Sequence, residues 1–435
     1  MNARFSEELK QAESLDAQDP LARFRDEFLF PKAGSTAVGG MAGQDVLYFA
    51  GNSLGLQPRK ARQYIEEELE DWQRFGVEGH MRARHPWLPY HEFVTESLAR
   101  IVGAKSSEVV AMNTLTVNLH LMMVSFYRPT KTRYKILIEP SAFPSDQYAV
   151  ASQADFHSRS VGFDPKSAIV ELQPRSGEDC LRDEDILAAI EREGESLALV
   201  MLGNVNYLTG QAFDVKAITE KARSLGACIG FDFAHGAGNL ELKLHDWAPD
   251  FAVWCSYKYL NSGPGALAGC FVHERHHRDS TLPRFAGWWG QNKTTRFLMG
   301  PEFDPIPTAE SWQLSNPPIF QLAAMRASFE IFDAAGMARL RAKSVAIVAL
   351  LESLLKKQSR VKIVTPAEGS RRGTQLSIRV QGHPKDWVQK LERRGIVADA
   401  REPDILRVAP APLYTRYADV VKLAESMDAI SGGQS

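Results

Sequence analysis

The chain has 435 residues, with 51 basic against 53 acidic side chains for a formal net charge of -2, 44% hydrophobic residues and 4 cysteines. That composition excludes a disordered chain, which needs few apolar residues and a large net charge, and a disulfide-stapled scaffold, which needs dense cysteine. Balanced charge supplies no global field for a phosphate backbone or anionic lipid, so neither nucleic acid nor membrane is an expected partner.

The length suits about two or three domain-sized units, or one large core with a satellite. Cys180, Cys228, Cys255 and Cys270 form no C-x-x-C pair, and the last three fall in apolar runs, so buried reduced thiols and a cytoplasmic setting are expected. The N-terminal residues mix both charge signs without an apolar h-region, and no stretch approaches the ~18 uninterrupted apolar residues of a membrane span.

In chain order, helices are predicted over 59–75 and 91–102, around a turn at 51–55. Strands follow at 108–112, 134–139, 167–172, 197–203, 228–233, 251–256 and 266–273, with amphipathic helices such as 182–193 and 214–225 between most of them. Alternation of this kind predicts an α/β fold with a mostly parallel, seven-stranded sheet and flanking helices. The last two strands are joined only by residues 257–265, too short for a helical crossover, so one antiparallel strand is expected there. From Pro317 and Pro318 onward come helices over 320–335 and 337–357, strands at 361–365, 375–380 and 405–409, and a helix over 386–394. This is a smaller α+β unit, and the tail containing Gly433 is expected to fray.

Lys258 follows an apolar strand and precedes a Gly- and Pro-rich turn, at a strand's carboxyl end, where open α/β sheets place ligands. Desolvation there lowers an ammonium pKa, which a Schiff-base lysine requires. Asp232 is an acid in an apolar run and needs a cation or strong donor; a protonated pyridine nitrogen is one. Thr116 opens a helical run after strand 108–112, where free N–H groups and the positive helix end suit a phosphate. Phe143 follows strand 134–139 and can cover an aromatic face. Each has an ordinary alternative: a solvated loop lysine, a structural ion pair, a helix cap, a core phenylalanine. Together at successive strand ends they describe a pyridoxal phosphate site. No metal site is read. The string His273 to His277 matches H-E-x-x-H, but its first histidine ends a strand, so a solvated basic loop is expected instead.

Several strings resemble those of the kynureninase family, within the fold type I pyridoxal phosphate enzymes related to class V aminotransferases, of aspartate aminotransferase-like fold. They are Gly51 to Pro58, Asn113 to His120, Phe143 to Asp146, Thr209 to Gln211, Gly230 to His235, Cys255 to Asn261, Gly287-Trp288, Ser315 to Pro318 and Arg407 to Pro410. The resemblance implies that Lys258 carries the cofactor, Asp232 pairs with its ring nitrogen and Phe143 covers the ring, with Pro144, Ser145 and Asp146 nearby. It implies that Leu115, Thr116, His235 and Tyr257 hold cofactor and phosphate, with Tyr257 also a catalytic proton relay. Trp288 and Asn316 would reach the phosphate from the neighbouring subunit, which makes a homodimer part of the expectation. Arg407 would grip the substrate carboxylate, as a guanidinium fork does better than a lysine, and Ser53 and His80 would line the substrate end. Gly203 stands where several relatives supply a hydroxyl, so a backbone N–H or a water is expected to substitute.

The domains implied are an N-terminal arm with part of the small domain over 1–60, a large PLP-binding domain over 61–316 and a small α+β domain over 317–435. The activity implied is hydrolysis of L-kynurenine, or its 3-hydroxy form, to anthranilate or 3-hydroxyanthranilate and L-alanine, in tryptophan catabolism or NAD biosynthesis. A cysteine desulfurase or aminotransferase of the same fold, and a non-catalytic binding protein, are the competing readings.

Overall fold

The computed structural model describes residues 3–34, 39–40 and 42–432, so the expected fraying at Gly433 lies outside the described residues. Its centre is a seven-stranded sheet. In chain order the strands are β1 (Val109–Ala111), β2 (Lys135–Ile138), β3 (Ile169–Glu171), β4 (Leu197–Gly203), β5 (Cys228–Asp232), β6 (Phe251–Trp254) and β7 (Gly269–Val272). They lie side by side as β1-β7-β6-β5-β4-β2-β3. All neighbours are parallel except β7, which runs antiparallel to both β6 and β1. The short link between β6 and β7 dictates that reversal, as expected from the sequence.

Both faces of the sheet are covered, which is why its strands read as continuous apolar runs. Val200, Leu202, Ile229, Phe231 and Trp254 join one buried cluster, and Leu199, Met201, Phe251 and Val253 of the same strands join the other. The crossover helices begin and end on local signals. Helix Pro144–Val161 has proline in its first turn and stops at Gly162, φ +87°. Helix Asp183–Glu193 opens on three acids, and Asp214 caps helix Val215–Ser224 by accepting from the Ala217 N–H at 3.0 Å. The predicted helix over 91–102 is split into a 3-10 turn, Tyr90–Val94, and helix Thr95–Val102.

A second sheet has four antiparallel strands in the order β8-β9-β11-β10: β8 (Val361–Ile363), β9 (Leu376–Val380), β10 (Asp399–Arg401) and β11 (Ile405–Val408). The sequence does not predict β10. Its core holds Ile347, Leu351, Ile378, Leu406 and Val421, and takes in Phe5, Leu9 and Ala12 of helix Ala3–Ala17. At that helix's end the Asp16 carboxylate accepts the first N–H groups of helix Tyr417–Ser431, from Tyr417 at 2.7 Å and Ala418 at 3.0 Å. Helix Ile319–Ala335 sends Leu322, Met325 and Phe329 into the large core, and helix Met337–Leu355 sends Ile347 and Leu351 into the small one. Gly336, φ +76°, joins the two helices.

Candidate active site

The carboxyl ends of the parallel strands converge on one cavity. It is lined by Leu115, Thr116, Glu139, Phe143, Ser145, Asp146, Gly203, Val205, Tyr207, Asp232, Ala234, His235, Tyr257 and Lys258. Sheet register sets Gly203 at the tip of β4 directly beside Asp232 at the tip of β5. Tyr257 and Lys258 come from the loop after β6. Leu115 and Thr116 open helix Leu115–Phe126, whose Thr114 N-cap makes no side-chain cap.

Three carboxyl groups are buried at this point, Glu139, Asp146 and Asp232. Asp232 accepts the Ala234 N–H at 2.6 Å. Burial pushes its carboxyl above the ordinary range, against the pull of Lys258. Asp146 is pushed further, by burial and then by the charge of Asp232. Glu139 is pushed up to about 8, first by burial, with the Gly203 N–H opposing and Asp232 adding repulsion. A cationic group placed against Asp232 opposes that shift and favours its ionised form.

Lys258 Nζ lies 3.1 Å from His235 Nε2 and 5.6 Å from the centre of the Phe143 ring. His235 is held well below the ordinary histidine range, by burial first and by the Lys258 charge second, so its imidazole is neutral. Its buried Nδ1 has no hydrogen-bond partner among the described residues. The set fits pyridoxal phosphate: a carboxylate for the ring nitrogen, a ring face at Phe143, a primary amine, and an uncapped helix start with the Thr116 hydroxyl for the phosphate.

Other expected residues stand apart. Pro144 is exposed and does not line the cavity, nor do Ser53 and Asn316, also exposed. Trp288 is 42% exposed and donates from Nε1 to the Arg296 carbonyl at 3.2 Å. His80 packs edge-on against Trp87. Arg407 is buried; it donates to the Tyr207 carbonyl at 2.7 Å and to Asp399.

Gly203 lines the cavity, and its N–H donates to Glu139 Oε2 at 2.6 Å, so of the two expected substitutes for a hydroxyl this arrangement leaves a water open. One expectation needs correction. The segment 273–277 is not a solvated loop: His277 is buried and bonds the Val272 carbonyl at 2.9 Å, while Arg275 and His276 pair with buried Asp250. Buried Asp250 draws those donors in, and among the described residues His273 and His277 share no hydrogen-bond partner. His273 instead gathers with Glu108 and His245, at the other end of β1 from the cavity.

Sequence reasoning missed Glu139, Asn206 and Tyr207. The available signal was an acid closing the apolar run 135–138.

Residues 340–427 match the family described as Kynureninase C-terminal domain. Over 426 residues the chain is 61% identical to the kynureninase of Myxococcus xanthus, covering 98% of this chain and 97% of the relative. It is 48% identical to that of Nematostella vectensis, covering 96% and 93%. Among solved structures, a cysteine desulfurase from Thermococcus onnurineus superposes with a TM-score of 0.72 at 18% identity, covering 89% of this chain and 95% of that one. C-DES, described with glycine covalently linked to its PLP cofactor, gives 0.71 at 17% identity, covering 88% and 96%. At such identities the solved structures speak for the fold alone, whereas the sequence identities, sustained over nearly the whole length, place the chain in the kynureninase family.

Proposed function

We propose that Lys258, Asp232, Phe143 and Tyr257 form the working centre of a pyridoxal phosphate-dependent kynureninase. The chain hydrolyses the Cβ–Cγ bond of L-kynurenine to anthranilate and L-alanine; acceptance of the 3-hydroxy form is part of the proposal. When bound, the cofactor supplies an electron sink that loosens the α-proton and activates the β-carbon. Asp232 holds the ring nitrogen protonated, Phe143 covers the ring, and Thr116 with the first N–H groups of its helix takes the phosphate. Lys258 Nζ removes the α-proton and returns it, while neutral His235 bonds that nitrogen without repelling it. Water adds to the γ-carbonyl carbon, and the Tyr257 hydroxyl relays the proton as the bond breaks. Arg407 grips the α-carboxylate.

The observation that supports this most is the shared cavity of the Lys258 amine, the Phe143 ring and the Asp232 carboxylate. The desulfurase reading needs a reactive thiol near the substrate. Burial pushes Cys180 up to about 11 and Cys228 up to about 12, leaving both inert at neutral pH.

The proposal includes a homodimer in which Trp288 and Asn316 reach the partner's cavity; both are on the surface and outside their own. It also includes an N-terminal arm with part of the small domain over 1–60, a large domain over 61–316 and a small C-terminal domain over 317–435. Among the described residues no helix is long and apolar enough to cross a membrane; a cytoplasmic location is proposed.

The test is the purified holoenzyme assayed for anthranilate fluorescence and for sulfide release. Lys258→Ala is expected to abolish both turnover and the visible absorbance of the bound cofactor. Turnover in that variant, or sulfide as the product, overturns the reading. Mixing Trp288→Ala with Lys258→Ala protein is expected to regain activity through hybrid dimers, and no regain removes the cross-subunit role.

A further inference from the structure

Arg407 is the residue on which carboxylate recognition rests, yet it does not line the cavity with Lys258. Its guanidinium is fixed at two corners, by Asp399 and by the Tyr207 carbonyl oxygen at 2.7 Å. Asp399 is its cross-strand neighbour in the small sheet. Tyr207 belongs to the loop after β4, so the second corner is set by the large sheet.

That loop is built on Asn206. The Asn206 side-chain oxygen accepts from the Leu208 N–H at 3.0 Å, the Thr209 N–H at 3.0 Å and the Thr209 hydroxyl at 3.2 Å. Its side-chain N–H donates to Glu139 Oε1 at 3.2 Å, with a longer bond to the Pro140 carbonyl at 3.4 Å. Glu139 Oε2 takes the Gly203 N–H, where the loop begins. One buried carboxyl group thus ties both the start and the middle of the loop to the end of β2. Tyr207 then places its carbonyl under Arg407 and its ring edge-on to Phe143, 5.2 Å between centres.

We infer that Glu139 is a positioning residue for recognition of the substrate α-carboxylate: through Asn206 and the Tyr207 carbonyl it sets where the large domain holds Arg407. The inference rests on the reading of Arg407 as the carboxylate grip. Glutamine in place of Glu139 keeps the volume but sets an NH2 group, which has no lone pair to offer, against one of the two N–H donors; the shorter Gly203 contact keeps the amide oxygen, so the Asn206 tie is lost. Alanine in place of Asn206 removes that tie from the other side and releases the Leu208 and Thr209 N–H groups.

The experiment uses holoenzyme of the wild type, Glu139→Gln, Asn206→Ala, the double variant and Arg407→Ala. Three quantities are read: KM and kcat for L-kynurenine, the dissociation constant of L-alanine by spectral titration, and the inhibition constant of kynuramine, the substrate without its α-carboxylate. Glu139→Gln is expected to raise KM and the alanine constant on the order of tenfold, with kcat within about twofold and kynuramine unchanged. Asn206→Ala is expected to do the same, and the double variant no more than the worse single. Equal weakening of kynuramine, or additive losses in the double variant, overturns the inference, since either means Glu139 acts on the cofactor or on the fold at large. If Glu139→Gln does not fold, Asn206→Ala decides alone, and an unchanged alanine constant there sinks the idea. Arg407→Ala separates the two levels. If it leaves alanine binding intact, the reading of Arg407 itself fails; if it abolishes that binding while Glu139→Gln does not weaken it, only the role of Glu139 fails.

Discussion

The amine of Lys258 and the imidazole of His235 lie 3.1 Å apart, and burial keeps the second neutral so that it accepts the first as a neighbour. The cationic amine is one of the causes holding His235 low; burial is the larger. Lys258→Met keeps most of the packing and removes the charge. The His235 protonation midpoint, followed by NMR of its ring proton in the cofactor-stripped protein, is expected to rise toward the ordinary value of 6.5 without reaching it. An unmoved midpoint shows that the Lys258 charge does not reach this ring.

Glu139 leaves no room for a side chain at Gly203. A Cβ there stands 3.0 Å from both Glu139 carboxylate oxygens, tighter than ordinary contact. Gly203→Ser is therefore expected to weaken cofactor binding rather than improve it, and to lower stability by about 1–3 kcal/mol as the Glu139 bonds are displaced. Glu139→Asp draws the carboxylate back by one methylene. Thermal unfolding of the two single variants and the pair is expected to show the pair more stable than their sum by at least ~0.5 kcal/mol.

The pH dependence of stability carries the same carboxyl group. Glu139 is raised from the usual 4.5 to about 8, so its protonated form is the one the fold prefers. Its contribution is complete below about pH 4.5 and is lost as pH rises through about 8. In cofactor-stripped protein the unfolding temperature is expected to fall across that window more steeply in the wild type than in Glu139→Gln. Asp146 and Asp232 are raised too and act in the same direction in both proteins; Glu139 is one cause of the Asp146 shift, so the difference in slopes reports Glu139 together with that coupling. Parallel slopes contradict it.

The residues legible from sequence are those whose local setting carries their chemistry. Lys258 and Asp232 sit at the ends of apolar strands beside small residues, and β strands of a parallel sheet deliver such ends to one place. Glu139 has the same kind of setting but is followed by Pro140, which reads as a solvated turn. Its burial comes from Asn206 and Gly203 folding over it, a contact some 64 residues away in the chain. Arg407 was legible as a type of residue, its surroundings were not. Its partner Asp399 lies in β10, a strand of Asp, Ala and Arg without the apolar alternation that marks a strand. The hairpin register, a product of the small sheet's packing, brings the two face to face.

The N-terminal arm is tied to the C-terminal region by a buried ion pair, and its energetics can be tested without touching the cavity. Lys343 Nζ lies 2.7 Å from Asp19 Oδ2, with side-chain exposures of 6% and 5%, and donates to the Pro412 carbonyl at 2.8 Å. Burial pulls the lysine's pKa down while Asp19 pulls it up, so the ammonium depends on its partner. Asp19→Ala leaves that ammonium buried with the Pro412 carbonyl and only the more remote charges of Asp16 and Asp419, and is expected to cost roughly 3–5 kcal/mol in chemical denaturation. Replacing both, Asp19→Leu with Lys343→Met, removes the unmatched charge and is expected to regain most of that loss. Kynurenine turnover below the denaturation midpoint is expected to be unchanged in the double variant, because the pair stands outside the cavity. A double variant no more stable than Asp19→Ala assigns the cost to the lost packing of the arm rather than to the stranded charge.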